Sequence, residues 1–271
     1  LEPGSVMAKD GIKGFLSPDF EIATGCYAYS AKLVSEIANV LGKTADAQRF
    51  HELFENIRKA YRYNYTRDGR VISKRQCKYV RPVAYDLLSD EEKQQNMATL
   101  NKIIIQNQYK IGTGFLTTPW VLKMLSDYGY TETAYKMLEN TDRPGWLYEV
   151  KKGATTIWEN WNGIDESGVP IDSFNHYLMG SVVGWLFSHV AGIRPLAPGY
   201  SKVLIKPQPG GSITTVMCSY KSQSGLIKCV WKIENKKFAL ELETPTYTEV
   251  ILPDGTTHKV EKGNHTFFCR I

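Results

Sequence analysis

Up to about residue 194, apolar positions recur at spacings of three and four, the period of an amphipathic helix. Cys26, Tyr29, Leu33, Ile37 and Val40/Leu41 form one such stripe, and Gly42 follows as a stop. Thr44 is placed to cap a second helix, whose buried stripe is Phe50, Leu53/Phe54, Ile57 and Tyr61. Pro82 suits the first turn of a short helix through Tyr85 and Leu88. Ser89-Asp90-Glu91-Glu92 reads as a capping box ahead of Met97, Leu100, Ile103 and Ile104. Pro119 opens a helix carrying Val121, Leu122 and Leu125 that ends at Gly129, and Thr131 starts another with Ala134, Tyr135 and Leu138. Ser173 is expected to cap a long apolar helix containing Tyr177, Val183, Leu186, Phe187 and Val190. Short joins between these helices imply antiparallel neighbours.

From Arg194 the period changes to two. Phe238, Leu240 and Leu242 alternate with Ala239, Glu241 and Glu243, as in a half-buried strand. Similar runs cover 203–205, 213–220, 226–233, 249–252 and 266–271, with hairpin turns at Ser224-Gly225 and Pro253-Asp254-Gly255. The expected fold is therefore mainly α followed by β: a helical domain over residues 1–194, then a small antiparallel β-sandwich over 195–271. The break falls where Ile193-Arg194-Pro195 and Pro198-Gly199 stop the last helix.

Composition narrows the function classes. At 271 residues, 42% hydrophobic and 23% charged, the chain has the balance of a globular protein in one large or two unequal domains. No run of about 18 uncharged apolar residues exists to span a bilayer as a helix. The net charge of +5 is spread along the sequence, which argues against nucleic-acid binding. Cys26, Cys77, Cys218, Cys229 and Cys269 form no CxxC and have no matching histidine set, so no metal site is expected. Cys218 and Cys229 are placed to face each other across a hairpin. No phosphate loop and no Gly-x-Ser-x-Gly elbow occur.

The candidate chemistry lies in the longest irregular stretch between helices, Thr141 to Ile171, where sites on helical scaffolds concentrate. It holds Trp146, Trp158, Glu159 and Trp161. A carboxylate between flat aromatic faces has the composition of a sugar subsite: indoles stack on pyranose C–H faces and lower the dielectric around the acid. Glycoside hydrolysis needs two carboxyl groups, one to protonate the leaving oxygen and one to act as base or nucleophile. Glu159 is the candidate base, and His176, at the expected mouth of the last helix, the candidate sugar ligand. The bland alternative makes the tryptophans core and His176 a cap of its own helix.

The runs Trp146-Leu147-Tyr148-Glu149-Val150, Gly153-Ala154-Thr155-Thr156-Ile157-Trp158-Glu159-Asn160-Trp161, Ser173-Phe174-Asn175-His176-Tyr177 and Val190-Ala191-Gly192-Ile193 resemble, in order and spacing, the bacterial α-L-rhamnosidases of glycoside hydrolase family 78. Thr24 to Leu33 and Gly112-Thr113-Gly114-Phe115 resemble that family too. The resemblance implies part of an (α/α)6 barrel followed by a β-sandwich, and inverting hydrolysis of terminal α-L-rhamnosides. It implies that Glu159 is the general base and that His176 contacts the sugar; Trp146, Trp158 and Trp161 are candidate walls of the subsite. The substrate partner would be a rhamnose-containing glycoside or polysaccharide, and no cofactor is needed.

Two local departures stand out: Glu159-Asn160-Trp161 replaces the common Glu-Arg-Trp, and the loop from Gly163 to Ser173 is short. The acidic, arginine-containing loop that carries the family's general acid does not occur, and Leu1-Glu2-Pro3-Gly4 resembles the continuation of its Gly-Asp-Trp-Leu element. The expectation is a chain whose partner is the preceding part of the same polypeptide and which catalyses poorly by itself, its remaining helices exposing apolar faces. A non-catalytic carbohydrate-binding or scaffold segment, or an α/α-barrel glycosidase for another sugar, are the alternatives. Compartment is not readable, and a periplasmic or extracellular setting stays open.

Overall fold

The computed structural model describes residues 19–165 and 167–271, so Leu1-Glu2-Pro3-Gly4 lies outside the described residues. Two compact units result: one takes in the described residues up to Thr133 together with Asn140–Met179, the other Ala134–Glu139 together with Gly180–Ile271.

The first unit is built on helices α1 (Phe20–Val40), α2 (Thr44–Tyr65), α3 (Gln76–Ala84), α4 (Asp90–Gln106) and α5 (Thr118–Asp127), with a two-stranded ribbon of β1 (Thr66–Arg67) and β2 (Arg70–Val71) after α2. Helix α6 (Thr131–Leu138) follows and is shared between the two units, and a short helix α7 (Trp146–Lys151) comes next. Phe54, Ile57 and Tyr61 of α2 are buried, as their spacing predicts. The expected α1 stripe holds only in its first half, where Cys26 and Tyr29 pack against this cluster. The buried face of α1 is Gly25, Ala28, Ala31 and Ala38, whereas Leu33, Ile37, Val40 and Leu41 are exposed. Small side chains let the α2 aromatics press close to the α1 backbone, so the larger apolar stripe turns to the other side of the helix. Polar bonds lock the helices together. Glu21 accepts from the Tyr61 hydroxyl at 2.5 Å and from Lys78 at 2.6 Å, and it pairs with the buried guanidinium of Arg81. Burial, with the Glu21 carboxylate alongside, pushes the Tyr61 phenol well above its ordinary pKa.

Helix α4 starts as its sequence predicts: the Glu92 amide donates to the Ser89 hydroxyl at 3.3 Å, and the Ser89 amide donates to the Glu92 carboxylate at 2.7 Å. Pro82 corrects another expectation. It lies near the end of α3, not at its start, and the helix stops where Asp86 turns left-handed with φ 61°, the Asp86 and Leu87 amides bonding back to the Val83 and Pro82 carbonyls.

The last helix is also corrected. Ser173 caps no helix: its hydroxyl accepts from the Asn175 amide at 3.1 Å, and the His176 amide is already committed to the Ile157 carbonyl at 2.8 Å. Helical structure begins only at a 3-10 turn, Met179–Ser181, and continues as α8 (Val182–Trp185) and a π turn, Leu186–Val190.

In the second unit, two four-stranded sheets follow in the orders β3-β4-β8-β9 and β10-β7-β6-β5. Their strands are β3 (Ile193–Pro195), β4 (Val203–Ile205), β5 (Thr215–Ser222), β6 (Gly225–Glu234), β7 (Lys237–Thr244), β8 (Thr248–Ile251), β9 (Thr257–Val260) and β10 (Gly263–Arg270). All neighbours are antiparallel except β4 and β8, which pair in parallel. Val203, Ile205, Ile227, Cys229, Trp231, Phe238, Leu240, Leu242 and Val250 form the core. Cys218 does lie opposite Cys229 in the β5–β6 register, and both are free thiols. The π turn is held from this core: the Trp231 indole donates to the Val190 carbonyl at 2.9 Å, and the Cys229 thiol to Ala191 at 3.2 Å. Gly192 then turns the chain with φ 84°, so close to β4 that a Cβ would lie 2.3 Å from the Lys206 carbonyl carbon.

Two outcomes follow for stability. Ser89→Ala is expected to cost about 1 kcal/mol through the lost cap, read as a lower urea midpoint. Gly192→Ala meets both a left-handed φ and a backbone clash, and is expected to cost more than about 2 kcal/mol. A Gly192→Ala midpoint within error of wild type would refute that account.

Candidate active site

The site is assembled on a backbone run that belongs to neither helix nor sheet. Helix α7 ends at Lys151, and Gly153, with φ 83°, reverses the chain so that the Ala154 amide bonds back to the Glu149 carbonyl at 3.0 Å. The run from Thr155 to Trp161 then returns over α7. Its second layer is the segment 173–176. The Glu159 amide donates to the Ser173 carbonyl at 2.9 Å, and the His176 amide to Ile157. These two bonds join the stretches carrying the candidate base and the candidate sugar ligand.

Glu159 is half-buried, and its carboxylate accepts a long bond, 3.4 Å, from the Ser173 amide. Asn160, beside it, donates to Asp172 at 3.0 Å and so closes the short loop across its base. Within that loop the Ile171 amide bonds to Gly163 at 2.8 Å and Ile164 bridges to Pro170.

The three tryptophans do not present open faces on the described residues. Trp146, Trp158 and Trp161 are only 3%, 3% and 6% exposed. Trp158 stacks on Phe174 with centroids 4.7 Å apart, and it lies so near Gly163 that a Cβ there would sit 1.8 Å from the indole ring. Trp146 and Trp161 meet edge to face at 5.4 Å. Their indole N–H groups donate to Met179 O at 2.9 Å and Thr113 O at 3.1 Å. These contacts bury all three indoles against the protein.

His176 stacks on Phe115 at 4.4 Å on one side and lies parallel to Tyr177 at 5.6 Å on the other. Its Nδ1 is shielded from solvent and has no hydrogen-bond partner among the described residues. Phe115 belongs to the 112–115 stretch, which is anchored by Gln76. The Gln76 amide accepts from Gly112 N at 2.7 Å and donates to Lys110 O at 2.8 Å.

Glu149 was not singled out by its sequence context, yet it is the most perturbed acid here. It is 1% exposed and accepts from the Trp158 amide at 3.1 Å through Oε2, while Oε1 has no partner among the described residues. Burial pushes its carboxyl up to about 7, and the Trp158 bond offsets only part of that. An acid between a tyrosine and a valine in a six-residue helix looks like a solvated surface charge; only tertiary packing buries it. Three surface clefts of about 600 to 630 Å³ lie elsewhere, and Glu159 and His176 line none of them. Among the described residues no group of three or more His, Cys, Asp or Glu could hold a metal ion, and no helix is long and apolar enough to cross a membrane.

The raised pKa of Glu149 makes stability depend on pH. The native state holds the Glu149 proton more tightly than the unfolded chain, so the stability it contributes is complete below about pH 4.5 and is lost as pH rises through about 7. Glu149→Gln does not titrate. Wild type should therefore lose about 1–3 kcal/mol relative to Glu149→Gln between pH 5 and 8, measured as a growing difference in urea midpoint. A pH-independent difference would show that the carboxyl is not buried as described.

Comparison with known proteins agrees with this architecture. Residues 15–190 match the bacterial α-L-rhamnosidase 6 hairpin glycosidase domain, and residues 192–267 the bacterial α-L-rhamnosidase C-terminal domain. An α-L-rhamnosidase of Streptomyces avermitilis is 36% identical over 258 residues, 93% of this chain and 25% of that protein. One from Formosa agariphila is 32% identical over 254 residues, covering 91% of this chain and 27% of the relative. The crystal structure of the Streptomyces avermitilis enzyme complexed with L-rhamnose superposes with a TM-score of 0.88 at 33% identity, over 94% of this chain and 27% of that one. The native Aspergillus terreus enzyme gives 0.89 at 30% identity, over 94% and 31%. The chain thus spans about a quarter of the length of the relatives it matches. By its helical unit, its sandwich and these matches, the chain belongs to the bacterial α-L-rhamnosidase family, glycoside hydrolase family 78.

Proposed function

We propose that the polypeptide containing this chain hydrolyses terminal α-L-rhamnose from rhamnosides with inversion, and that Glu159 is its general base. The observation that carries this is the setting of Glu159: a half-exposed carboxylate on a run whose flanking indoles are buried and hydrogen-bonded. A base must hold a water on one face of the sugar ring, so its carboxylate must be accessible and its backbone immobile. His176 is the proposed sugar ligand. Stacking on Phe115 and the bond from its main-chain amide to Ile157 hold the imidazole in a fixed position, which supports that role. Trp146, Trp158 and Trp161 contribute as the floor beneath the subsite and not as stacking walls.

Inversion also needs a general acid on the opposite face of the glycosidic bond. Glu149 has the proton affinity for that role but no access to a substrate, so the acid is proposed to come from the rest of the polypeptide. On this reading residues 1–194 belong to the barrel and 195–271 to the sandwich. Asn160 and the short 163–173 loop shape the leaving-group side.

The test is hydrolysis of p-nitrophenyl α-L-rhamnoside by the full-length polypeptide, its Glu159→Gln variant and the present chain alone. Glu159→Gln is expected to lower kcat by about 10²–10⁴-fold, and the isolated chain to be inactive. Full activity in Glu159→Gln would remove Glu159 from the mechanism. Rhamnose binding without hydrolysis in the full-length protein would favour a binding module instead.

A further inference from the structure

We propose that Glu149 is a positioning residue of this hydrolase: through its hold on the Trp158 amide, its buried carboxyl fixes the backbone from which Glu159 projects. The proposal rests on the reading of Glu159 as the base. Trp158 immediately precedes Glu159, and its amide has no place in a helix or sheet ladder. The Glu149 side chain supplies the acceptor at 3.1 Å. Glu149 grips the same run a second time through its main-chain carbonyl, bonded to Ala154. One residue of α7 therefore ties down both the start of the returning run and the residue before the base.

The other side of the run is tied by the 173–176 segment, through Glu159 N to Ser173 O and His176 N to Ile157 O. With Glu149 in place, Ile157, Trp158 and Glu159 each have a main-chain bond. Without it, a buried N–H is orphaned one residue from the base, and the run gains freedom to rotate about that peptide. Displacement of a base by about an ångström costs chemistry more than binding.

An acid is an odd choice for a purely structural acceptor, since Oε1 is buried with no partner among the described residues. Burial pushes the carboxyl up to about 7, so the neutral form, which spares the unpaired oxygen a buried charge, is well populated near neutrality. A neutral acceptor suffices for the Trp158 amide, and that makes the role separable by substitution. Glutamine keeps the acceptor oxygen and the size; methionine keeps the length and removes the acceptor.

The experiment compares wild type, Glu149→Gln and Glu149→Met in the full-length polypeptide, with p-nitrophenyl α-L-rhamnoside as substrate. In parallel, hydrogen exchange is followed by mass spectrometry on the peptide spanning 155–163. Glu149→Met is expected to lose about 30- to 100-fold in kcat with KM within about threefold, and to exchange faster in that peptide. Glu149→Gln is expected to rescue both. Wild-type kcat in Glu149→Met, or an equal loss in Glu149→Gln and Glu149→Met, overturns the proposal. If wild type itself does not cleave the rhamnoside, the functional reading fails, and the exchange data still decide: unchanged protection in Glu149→Met shows that Glu149 does not hold the run.

Discussion

A buried backbone run outside helix and sheet must find hydrogen-bond partners one amide at a time, and the candidate site depends on how this chain meets that demand. Leaving a single buried amide unpaired costs about 1–3 kcal/mol, so the run from Thr155 to Trp161 would not stay packed on aromatic contact alone. Glu149 takes the Trp158 amide, Ser173 takes that of Glu159, and Gln76 mimics a strand neighbour for Lys110 and Gly112. Three carbonyl groups in turn receive indole N–H groups, at Thr113, Met179 and Val190. Each tryptophan thereby acts as both packing mass and register pin.

Buried polar groups are handled in two ways in the first unit. Around Glu21 cations answer the acid: Lys78 and Arg81 of α3 and the Tyr61 hydroxyl of α2 converge on one carboxylate of α1. At Glu149 no cation answers the acid, so burial moves the proton onto it. The first arrangement resists separation of α1, α2 and α3. The second keeps a carboxyl in an apolar setting at the cost of pH sensitivity.

The strands were the most legible part of the chain. Alternation in Phe238 to Glu243 and the turns at Ser224-Gly225 and Pro253-Asp254-Gly255 place side chains on alternate faces whatever their neighbours are. The helix starts at Ser89 and Thr118-Pro119 were legible for a similar reason, since capping and proline geometry are local. Ser173 misled because serine bonds equally well to a tight turn, and the choice was made by Ile157, distant in sequence, whose carbonyl takes the His176 amide. The α1 stripe held at Cys26 and Tyr29 but misled from Leu33 to Leu41, because helix α1 has two apolar faces and packing chose the one lined by alanine.

For the site the division is similar. The sequence by itself determined the Trp-Glu-Asn-Trp run, the later histidine and the family these resemble, because motif chemistry is written in residue order. Tertiary structure alone decided that the tryptophans are buried, that Phe115 stacks on His176, and that Glu149 is buried against the Trp158 amide. The physical reason is burial itself: whether an indole is a wall or a floor, and whether an acid is a surface charge or a neutral acceptor, depends on atoms brought from distant positions. Such contacts have no period and no local signature, so they enter only when the chain is folded.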